Sequence, residues 1–250
     1  FADLRVIKEP YELDLMRKAI KITTDGLTEM MRNARGGMFE YELEAYFDYV
    51  LTKNGVRDKA FKTITASGKR GTILHYNENN AVAEDGDLVL VDCGAQVCWY
   101  NGDITRTFPV NGKFTEQQKQ IYDIVLSGQQ KVIDTIKPGI KFSRLNEVLR
   151  EHYFEKLNKI GLAETPDDVS KYYYHGVSHY LGAETHDIGR YGDRKLEPGM
   201  VLTVEPGLYI EEYGIGIRIE DDALVTDTGC ELLSDGFMKT TDEIEKFMGK

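Results

Sequence analysis

Hydrophobic residues in the first part of the chain recur at helical spacing. Leu13, Met16 and Ile20 form one apolar face, which predicts a helix over about residues 10–35. The same kind of pattern predicts a second helix over about 40–54. Glycines follow both segments, as is typical of helix ends.

The pattern then changes to the alternation that is typical of strands. Residues 61–67 alternate between apolar and polar side chains, which predicts a strand. Residues 88–94 form an apolar run that ends in an acid and a glycine, as a buried strand would. Further strands are predicted over 201–207 and 214–226.

Two more helices are predicted between these groups of strands. In the segment 115–139, Thr115 and Gln118 fit a capping box, and a Pro-Gly pair fits the end. The segment 143–161 has Ser143 as its predicted N-cap. Helices and strands do not strictly alternate, so the sequence predicts an α+β fold.

Composition limits the classes of function. The chain is 41% hydrophobic and 29% charged, with no linker or low-complexity tract, which predicts one domain over residues 1–250. A net charge of −11 argues against a nucleic-acid partner. No apolar run reaches the roughly 18–20 residues of a membrane span, so no membrane partner is expected.

The three cysteines do not form a disulfide framework. Cys93, Cys98 and Cys230 are odd in number and widely spaced, which indicates a reducing compartment and hence a cytoplasmic protein. All three are predicted to be small core residues.

Four acids occupy positions that the strand pattern would bury. They are Asp92, Asp103, Glu205 and Glu220. A buried carboxylate is costly unless it is paired or binds a metal ion. An isolated Asp at a strand end is more often a turn former, and Glu220 begins a run of three acids that could equally lie in solvent.

Histidines are concentrated in one stretch. His175, His179 and His186 lie in HGVSHYLGAETHDIG, and the chain has only five histidines. Two Asp, two Glu and one His would suit two divalent cations, Mn²⁺ first and Co²⁺ or Zn²⁺ as alternatives. Two such ions about 3.5–4 Å apart can hold a bridging hydroxide and polarise a carbonyl. The pattern therefore favours a hydrolase.

Five stretches resemble one family. VDCGAQVCWYNGDITRT, HGVSHYLG, THDIG, LEPGMVLTVEPGLYI and GIGIRIEDD are similar to motifs of the pita-bread metallopeptidases, in the branch of Xaa-Pro aminopeptidases and Xaa-Pro dipeptidases. The resemblance implies a curved, mostly antiparallel sheet covered by helices. It also implies a catalytic domain that an N-terminal domain precedes in the full-length protein, and it allows a homodimer.

The resemblance implies roles for ten residues. The implied metal ligands are Asp92, Asp103, His179, Glu205 and Glu220. The implied catalytic residues are Glu205, as proton acceptor, with His75, His175, His186 and Arg218. The implied substrate contacts are His75, His175, His186 and Tyr209.

The implied reaction removes the N-terminal residue from peptides with proline in second position, by attack of a metal-bridged hydroxide. An Xaa-Pro dipeptidase is the main alternative within the enzymes, and a methionine aminopeptidase fits the motifs less well. A non-catalytic peptide-binding module would keep the fold without the ligands. A creatinase-like hydrolase is disfavoured for the same reason, because all four metal acids are present.

Overall fold

The computed structural model describes residues 2–249, and within them it confirms the α+β class. The helices are α1 (Ala2–Val6), α2 (Pro10–Asn33), α3 (Glu40–Lys53), α4 (Glu116–Ile133), α5 (Phe142–Lys159) and α6 (Thr241–Met248). The strands are β1 (Ile64–Ser67), β2 (Leu88–Cys93), β3 (Gln96–Val97), β4 (Tyr100–Asn101), β5 (Ile104–Pro109), β6 (Val201–Val204), β7 (Gly207–Ile210), β8 (Ile215–Arg218), β9 (Asp221–Val225) and β10 (Cys230–Leu232).

The two halves of the chain each contain two long helices, a three-stranded sheet and a two-stranded hairpin. In the first half, α2 and α3 precede an antiparallel sheet of order β1-β2-β5, with the hairpin β3-β4 inserted before β5. In the second half, α4 and α5 precede an antiparallel sheet of order β10-β9-β6, with the hairpin β7-β8 inserted before β9. Strand β8 packs against β2 and β5, so the two halves meet at their sheets.

The helices form because their apolar faces cover these sheets. Met16 and Ile20 of α2 are buried, as the spacing predicts. A glycine within this helix has a packing role, because a Cβ on Gly26 would lie 2.3 Å from the ring of Phe47 in α3. The lack of a side chain at Gly26 therefore lets α3 approach α2 closely.

Two predicted strands are interrupted at the residues of most interest. The strand predicted over 201–207 breaks after Val204, and the strand predicted over 214–226 breaks after Arg218. Pro206 has no N–H to donate to a sheet, which ends the first ladder. The backbone N–H of Glu205 donates instead to Val177, and that of Glu220 donates to Thr105. Both glutamates thus lie in breaks between strands, where the backbone bonds to other segments.

Other boundaries also differ from the predictions. Helix α4 has the predicted capping box at Thr115 but ends at Ile133, because the residues that follow form hydrogen-bonded turns. The N-cap position of helix α5 is Lys141, which forms no side-chain capping hydrogen bond, so Ser143 lies inside the helix. The strand predicted over 61–67 is shorter in the structure, where only the residues of β1 form a strand. Residues 61 and 62, which precede β1, line a cavity.

The cysteines only partly follow the prediction. Cys93 is buried and Cys230 is half-buried, but Cys98 is exposed in the turn of the β3-β4 hairpin, with φ of 48°. The prediction of a core residue is therefore wrong for Cys98. Among residues 2–249, no helix is both long and apolar enough to cross a membrane.

Candidate metal and active site

The two halves contribute to one cavity of about 790 Å³. Nine of the ten predicted site residues line it: His75, Asp92, Asp103, His175, His179, His186, Glu205, Arg218 and Glu220. The tenth, Tyr209, is only 1% exposed and lies behind the cavity wall. Residues that are far apart in sequence are thus brought together as the motifs predict.

Carboxylates converge on one histidine in this cavity. Asp103, His179 and Glu220 each offer one ligand atom, and these atoms all lie within 4.8 Å of one another. The Nε2 atom of His179 is 3.6 Å from Oδ2 of Asp103 and 3.5 Å from Oε1 of Glu205. Mixed carboxylate and imidazole ligands at this spacing fit a divalent transition-metal ion.

The fifth predicted ligand, Asp92, lies beside this cluster with one oxygen left free. Its Oδ2 accepts a hydrogen bond of 2.7 Å from Arg218. Its Oδ1 is buried and has no hydrogen-bond partner within the described residues. A buried carboxylate oxygen without a partner is costly, and a cation would satisfy it. The set of side chains therefore fits a metal centre.

The protonation equilibria indicate the same chemistry. Burial raises the pKa of Asp103 and of Glu220 well above the ordinary value, and neighbouring carboxylates raise both further. Burial and the charge of Asp92 raise the pKa of Glu205 to about 8, although Arg218 acts in the opposite direction. Burial also lowers the pKa of His179 to about 4, so its imidazole is neutral and can ligate a metal. Positive charge between these carboxylates would relieve their repulsion.

Residues that the sequence did not predict hold Glu220 in place. The hydroxyl of Thr105 donates to Oε2 of Glu220 at 2.6 Å, and Arg106 donates to the backbone oxygen of Glu220 at 2.6 Å. Arg106 also forms a fully buried ion pair with Asp221 at 2.7 Å. The alternation in DITRT could have indicated Thr105, because residues 103 and 105 share a strand face.

The acids after Glu220 are not a solvated run. Asp221 is 1% exposed and pairs with Arg106, while Asp222 is fully buried and accepts a hydrogen bond from the backbone of Asp103. The solvent-exposed alternative for this run is therefore wrong. Asp222 thus helps to hold Asp103, and Asp221 holds the arginine that bonds the backbone of Glu220.

A chain of hydrogen bonds links His175 to the cluster. Nδ1 of His175 is 2.8 Å from the backbone oxygen of Gly176, so Nδ1 carries the proton and Nε2 is free to accept. The hydroxyl of Tyr209 is 2.9 Å from Nε2 and therefore donates to it, while accepting from Arg218 at 3.0 Å. Burial and Arg218 lower the pKa of His175 to about 4, which keeps the imidazole neutral.

The remaining histidines occupy three different environments. The ring of His186 lies 4.4 Å from that of His179, measured between centroids. His75 is exposed on a loop at the cavity wall. His152 lies outside the site, in α5, where Nε2 is 2.9 Å from the hydroxyl of Ser127.

Comparison with known proteins identifies the family. The model of metallopeptidase family M24 matches residues 14–227. The chain belongs to this family. Membership implies binding of divalent metal ions, in agreement with the cluster of acids and His179.

Individual relatives define the branch of the M24 family. The Xaa-Pro aminopeptidase of Escherichia coli K12 is 44% identical over 264 residues, which cover 98% of this chain and 60% of the relative. The Xaa-Pro dipeptidase of Rattus norvegicus is 33% identical over 299 residues, which cover 98% and 61%. The chain thus spans about 60% of the length of these relatives.

The fold of this M24 chain is also that of a solved relative. The structure of aminopeptidase P from E. coli with the inhibitor Pro-Leu superposes with a TM-score of 0.95 at 44% identity, and it covers 99% of this chain and 61% of that one. The predicted pita-bread fold is therefore confirmed.

Replacement of Tyr209 by Phe tests the hydrogen-bond chain to His175. The variant keeps the ring but loses one hydroxyl that bonds both His175 and Arg218. Since a hydrogen bond contributes about 0.5–1.5 kcal/mol, we expect peptidase kcat/KM to fall about tenfold. The control is Tyr213→Phe, whose side chain is 41% exposed. Equal kcat/KM in the two variants would show that the hydrogen bonds of Tyr209 do not contribute to activity.

Proposed function

We propose that the chain is the catalytic unit of a metal-dependent Xaa-Pro aminopeptidase. In this reaction, the N-terminal residue is released from a peptide whose second residue is proline. The observation that carries the proposal is the complete set of five predicted ligands, which line one cavity in a chain 44% identical to an Xaa-Pro aminopeptidase. A binding module on the same fold would not need this costly group of buried acids.

The proposed cofactor is a pair of divalent cations, with Mn²⁺ first and Co²⁺ or Zn²⁺ as alternatives. The residues that would hold them are Asp92, Asp103, His179, Glu205 and Glu220. When bound, two such cations lower the pKa of water and polarise a carbonyl oxygen. Arg218 orients Asp92 for this role, since its guanidinium donates to only one of the two carboxylate oxygens.

The proposed proton carrier is Glu205. Its carboxylate takes a proton from the water that attacks the carbonyl carbon of the first residue, and it then delivers that proton to the proline nitrogen as the C–N bond breaks. The proline nitrogen takes up this proton and leaves as a secondary amine. The same carboxyl group thus serves first as base and then as acid.

The histidines are proposed to contact the substrate. His186, next to His179, stabilises the negative oxygen of the tetrahedral intermediate by donating a hydrogen bond. His175 is held by Tyr209 and lies 3.8 Å from Glu205, so it adjoins the reacting groups. His75 contacts the peptide from its exposed loop. Tyr209 then acts through His175 and Arg218, since it does not line the cavity.

Residues 1–250 are proposed to work as one catalytic domain. One buried apolar cluster joins residues of α2, β2, α4 and β6 among the described residues, which supports a shared core. The proposed location is the cytoplasm, because the three cysteines are free.

The second candidate is an Xaa-Pro dipeptidase, because such a relative is 33% identical. Its alignment spans 299 positions, against 264 for the aminopeptidase, at nearly the same coverage of this chain. The aminopeptidase thus aligns with fewer gaps and higher identity. The aminopeptidase reading is therefore the better supported.

A substrate panel separates these candidates. The Mn²⁺-loaded protein is incubated with Gly-Pro, Arg-Pro-Pro and Met-Ala-Ser, and the products are read by mass spectrometry. Release of Arg from Arg-Pro-Pro supports the aminopeptidase, whereas cleavage of Gly-Pro alone supports the dipeptidase. Loss of Met alone would show a methionine aminopeptidase. If no peptide is cleaved and no metal binds, the protein is a binding module.

A further inference from the structure

Glu40 is a fully buried carboxylate outside the metal cluster, and it accepts five hydrogen bonds. Its Oε1 accepts from the backbone N–H of Ser67 at 2.8 Å, from the hydroxyl of Ser67 at 2.7 Å and from Nε of Arg70 at 3.1 Å. Its Oε2 accepts from the hydroxyl of Tyr76 at 2.7 Å and from the backbone N–H of Ala81 at 2.9 Å. One side chain therefore binds two separate parts of the chain.

These partners mark the two ends of one segment. Residues 67–81 leave strand β1 and return beside α3, so the carboxylate closes them into a loop. Leu74, His75 and Asn77 of this loop line the cavity. Tyr76 instead is buried in a small apolar cluster behind the wall, where it reaches Glu40. Tyr76, which binds Glu40, thus directly follows the exposed His75 in sequence.

The charge of Glu40 matters for this arrangement. Burial alone would raise the pKa of Glu40, but the hydrogen bonds from Ser67, Ala81 and Tyr76 outweigh burial and hold the pKa below its ordinary value. The residue also lies in the first turn of α3, where the helix dipole favours negative charge. A glutamine would place its amide NH₂ group against the backbone N–H of either Ser67 or Ala81, neither of which can accept a hydrogen bond, so it cannot replace the carboxylate.

We propose that Glu40 is a positioning residue, which fixes the loop 67–81 and thereby holds His75 against the cavity. The proposal rests on the proposed function in one respect, namely that His75 contacts the substrate. Since displacement of a substrate-contacting group by about 1 Å can cost about 10²-fold in rate, a remote carboxylate that fixes the loop controls catalysis. Among the described residues, neither Glu40 nor its hydrogen-bond partners form a side-chain hydrogen bond with a residue of the metal cluster.

A double-mutant cycle tests whether Glu40 acts through His75. We expect Glu40→Gln to lower kcat/KM for Arg-Pro-Pro about 10²-fold. In the His75→Ala background, the same substitution should have little further effect, because the positioned group is gone. Mn²⁺ binding should be unchanged in both. Additive losses, or weakened Mn²⁺ binding in Glu40→Gln, would show a general structural role and overturn the proposal.

Hydrogen–deuterium exchange tests the loop without relying on activity. Backbone amides of residues 67–81 should exchange faster in Glu40→Gln than in the wild type. Tyr76→Phe keeps the ring and removes one donor, so it should show a smaller change in the same direction and keeps the test valid if Glu40→Gln does not fold. Glu42→Gln is the matched control, since Glu42 caps its own helix at the backbone of Phe39.

The two measurements separate this proposal from the proposed function. If the wild type cleaves no Xaa-Pro peptide but loop exchange still increases in Glu40→Gln and Tyr76→Phe, the function is wrong and the anchoring by Glu40 stands. If exchange in both variants equals that in Glu42→Gln, the anchoring is wrong, whatever the activity.

Discussion

Replacement of Glu205 by glutamine is expected to lower kcat for the release of Arg from Arg-Pro-Pro by about 10³-fold. The amide has nearly the same volume but cannot accept and return a proton. Glu205 lies in the break between β6 and β7, where its backbone is held by Val177, so the side chain can change without loss of a strand pair. We therefore expect the unfolding midpoint of Glu205→Gln to stay close to that of the wild type.

The matched control for this prediction is Glu211→Gln. Glu211 is exposed in the short 3₁₀ helix after β7, on the same part of the chain. It should retain full turnover. Near-normal kcat in Glu205→Gln, measured at saturating Mn²⁺, would show that Glu205 is not the proton carrier.

Removal of divalent cations is the second change with a large expected effect. A chelator should abolish turnover, and added Mn²⁺ should restore it, because the five residues proposed as ligands supply no positive charge of their own. The cation should also stabilise the fold, by about 2.7 kcal/mol when its concentration is 100 times Kd. For a chain of this size, each kcal/mol raises Tm by about 2–4 °C. Calorimetry with and without Mn²⁺ measures this shift.

The stabilisation by Mn²⁺ should depend on pH in a definite direction. The pKa values of Asp103, Glu205 and Glu220 are raised in the folded protein, so the folded chain binds more protons than the unfolded chain in this range. Without a cation, the contribution of these three acids to stability therefore falls as pH rises from about 4, the ordinary value of such groups, towards about 8, the value of Glu205. A cation that replaces these protons should raise Tm more at pH 8 than at pH 5.

Asp103→Asn is the variant that links this stabilisation to the site. The asparagine is isosteric but removes one charge from the group of ligand atoms within 4.8 Å. Its Tm should respond weakly to Mn²⁺, while that of Glu211→Gln should respond as in the wild type. An equal response in Asp103→Asn would place the stabilising cation elsewhere on the protein.

Nine of the residues that line the cavity could be singled out in advance, because they lie in motifs that are local in sequence. The spacing of Asp92 and Asp103 reflects a strand, a hairpin and a return strand, and the register confirms that β2 and β5 pair. The helices α2 and α3 were predicted from apolar spacing alone. In these segments, the local pattern and the tertiary packing favour the same structure.

The strand breaks and the supporting residues could not be predicted in this way. Glu205 and Glu220 lie in segments that read as continuous strands, and the breaks depend on backbone partners such as Val177 and Thr105, which are distant in sequence. Arg106 likewise reaches the backbone of Glu220 across 114 positions. A single sequence does not show which residues so far apart form hydrogen bonds, because no local pattern links them.

Glu40 shows the same limit most clearly. In the sequence it is one of several acids at the start of an amphipathic helix, and such acids usually face solvent. Its burial follows from hydrogen-bond donors 27 to 41 positions away, at Ser67 and Ala81. Only the folded chain brings these donors to one carboxylate.

The most direct test of the proposed function compares the rates at which the Mn²⁺-loaded protein cleaves two peptides. Initial rates of Arg release are measured for Arg-Pro-Pro and for Arg-Ala-Pro, with free Arg quantified by mass spectrometry. The proposed function predicts rapid release from Arg-Pro-Pro, a much slower rate for Arg-Ala-Pro, and release from Arg-Pro-Pro that is about 10³-fold slower in Glu205→Gln. Release from Arg-Ala-Pro alone, or no release from either peptide with two Mn²⁺ bound per chain, would contradict it.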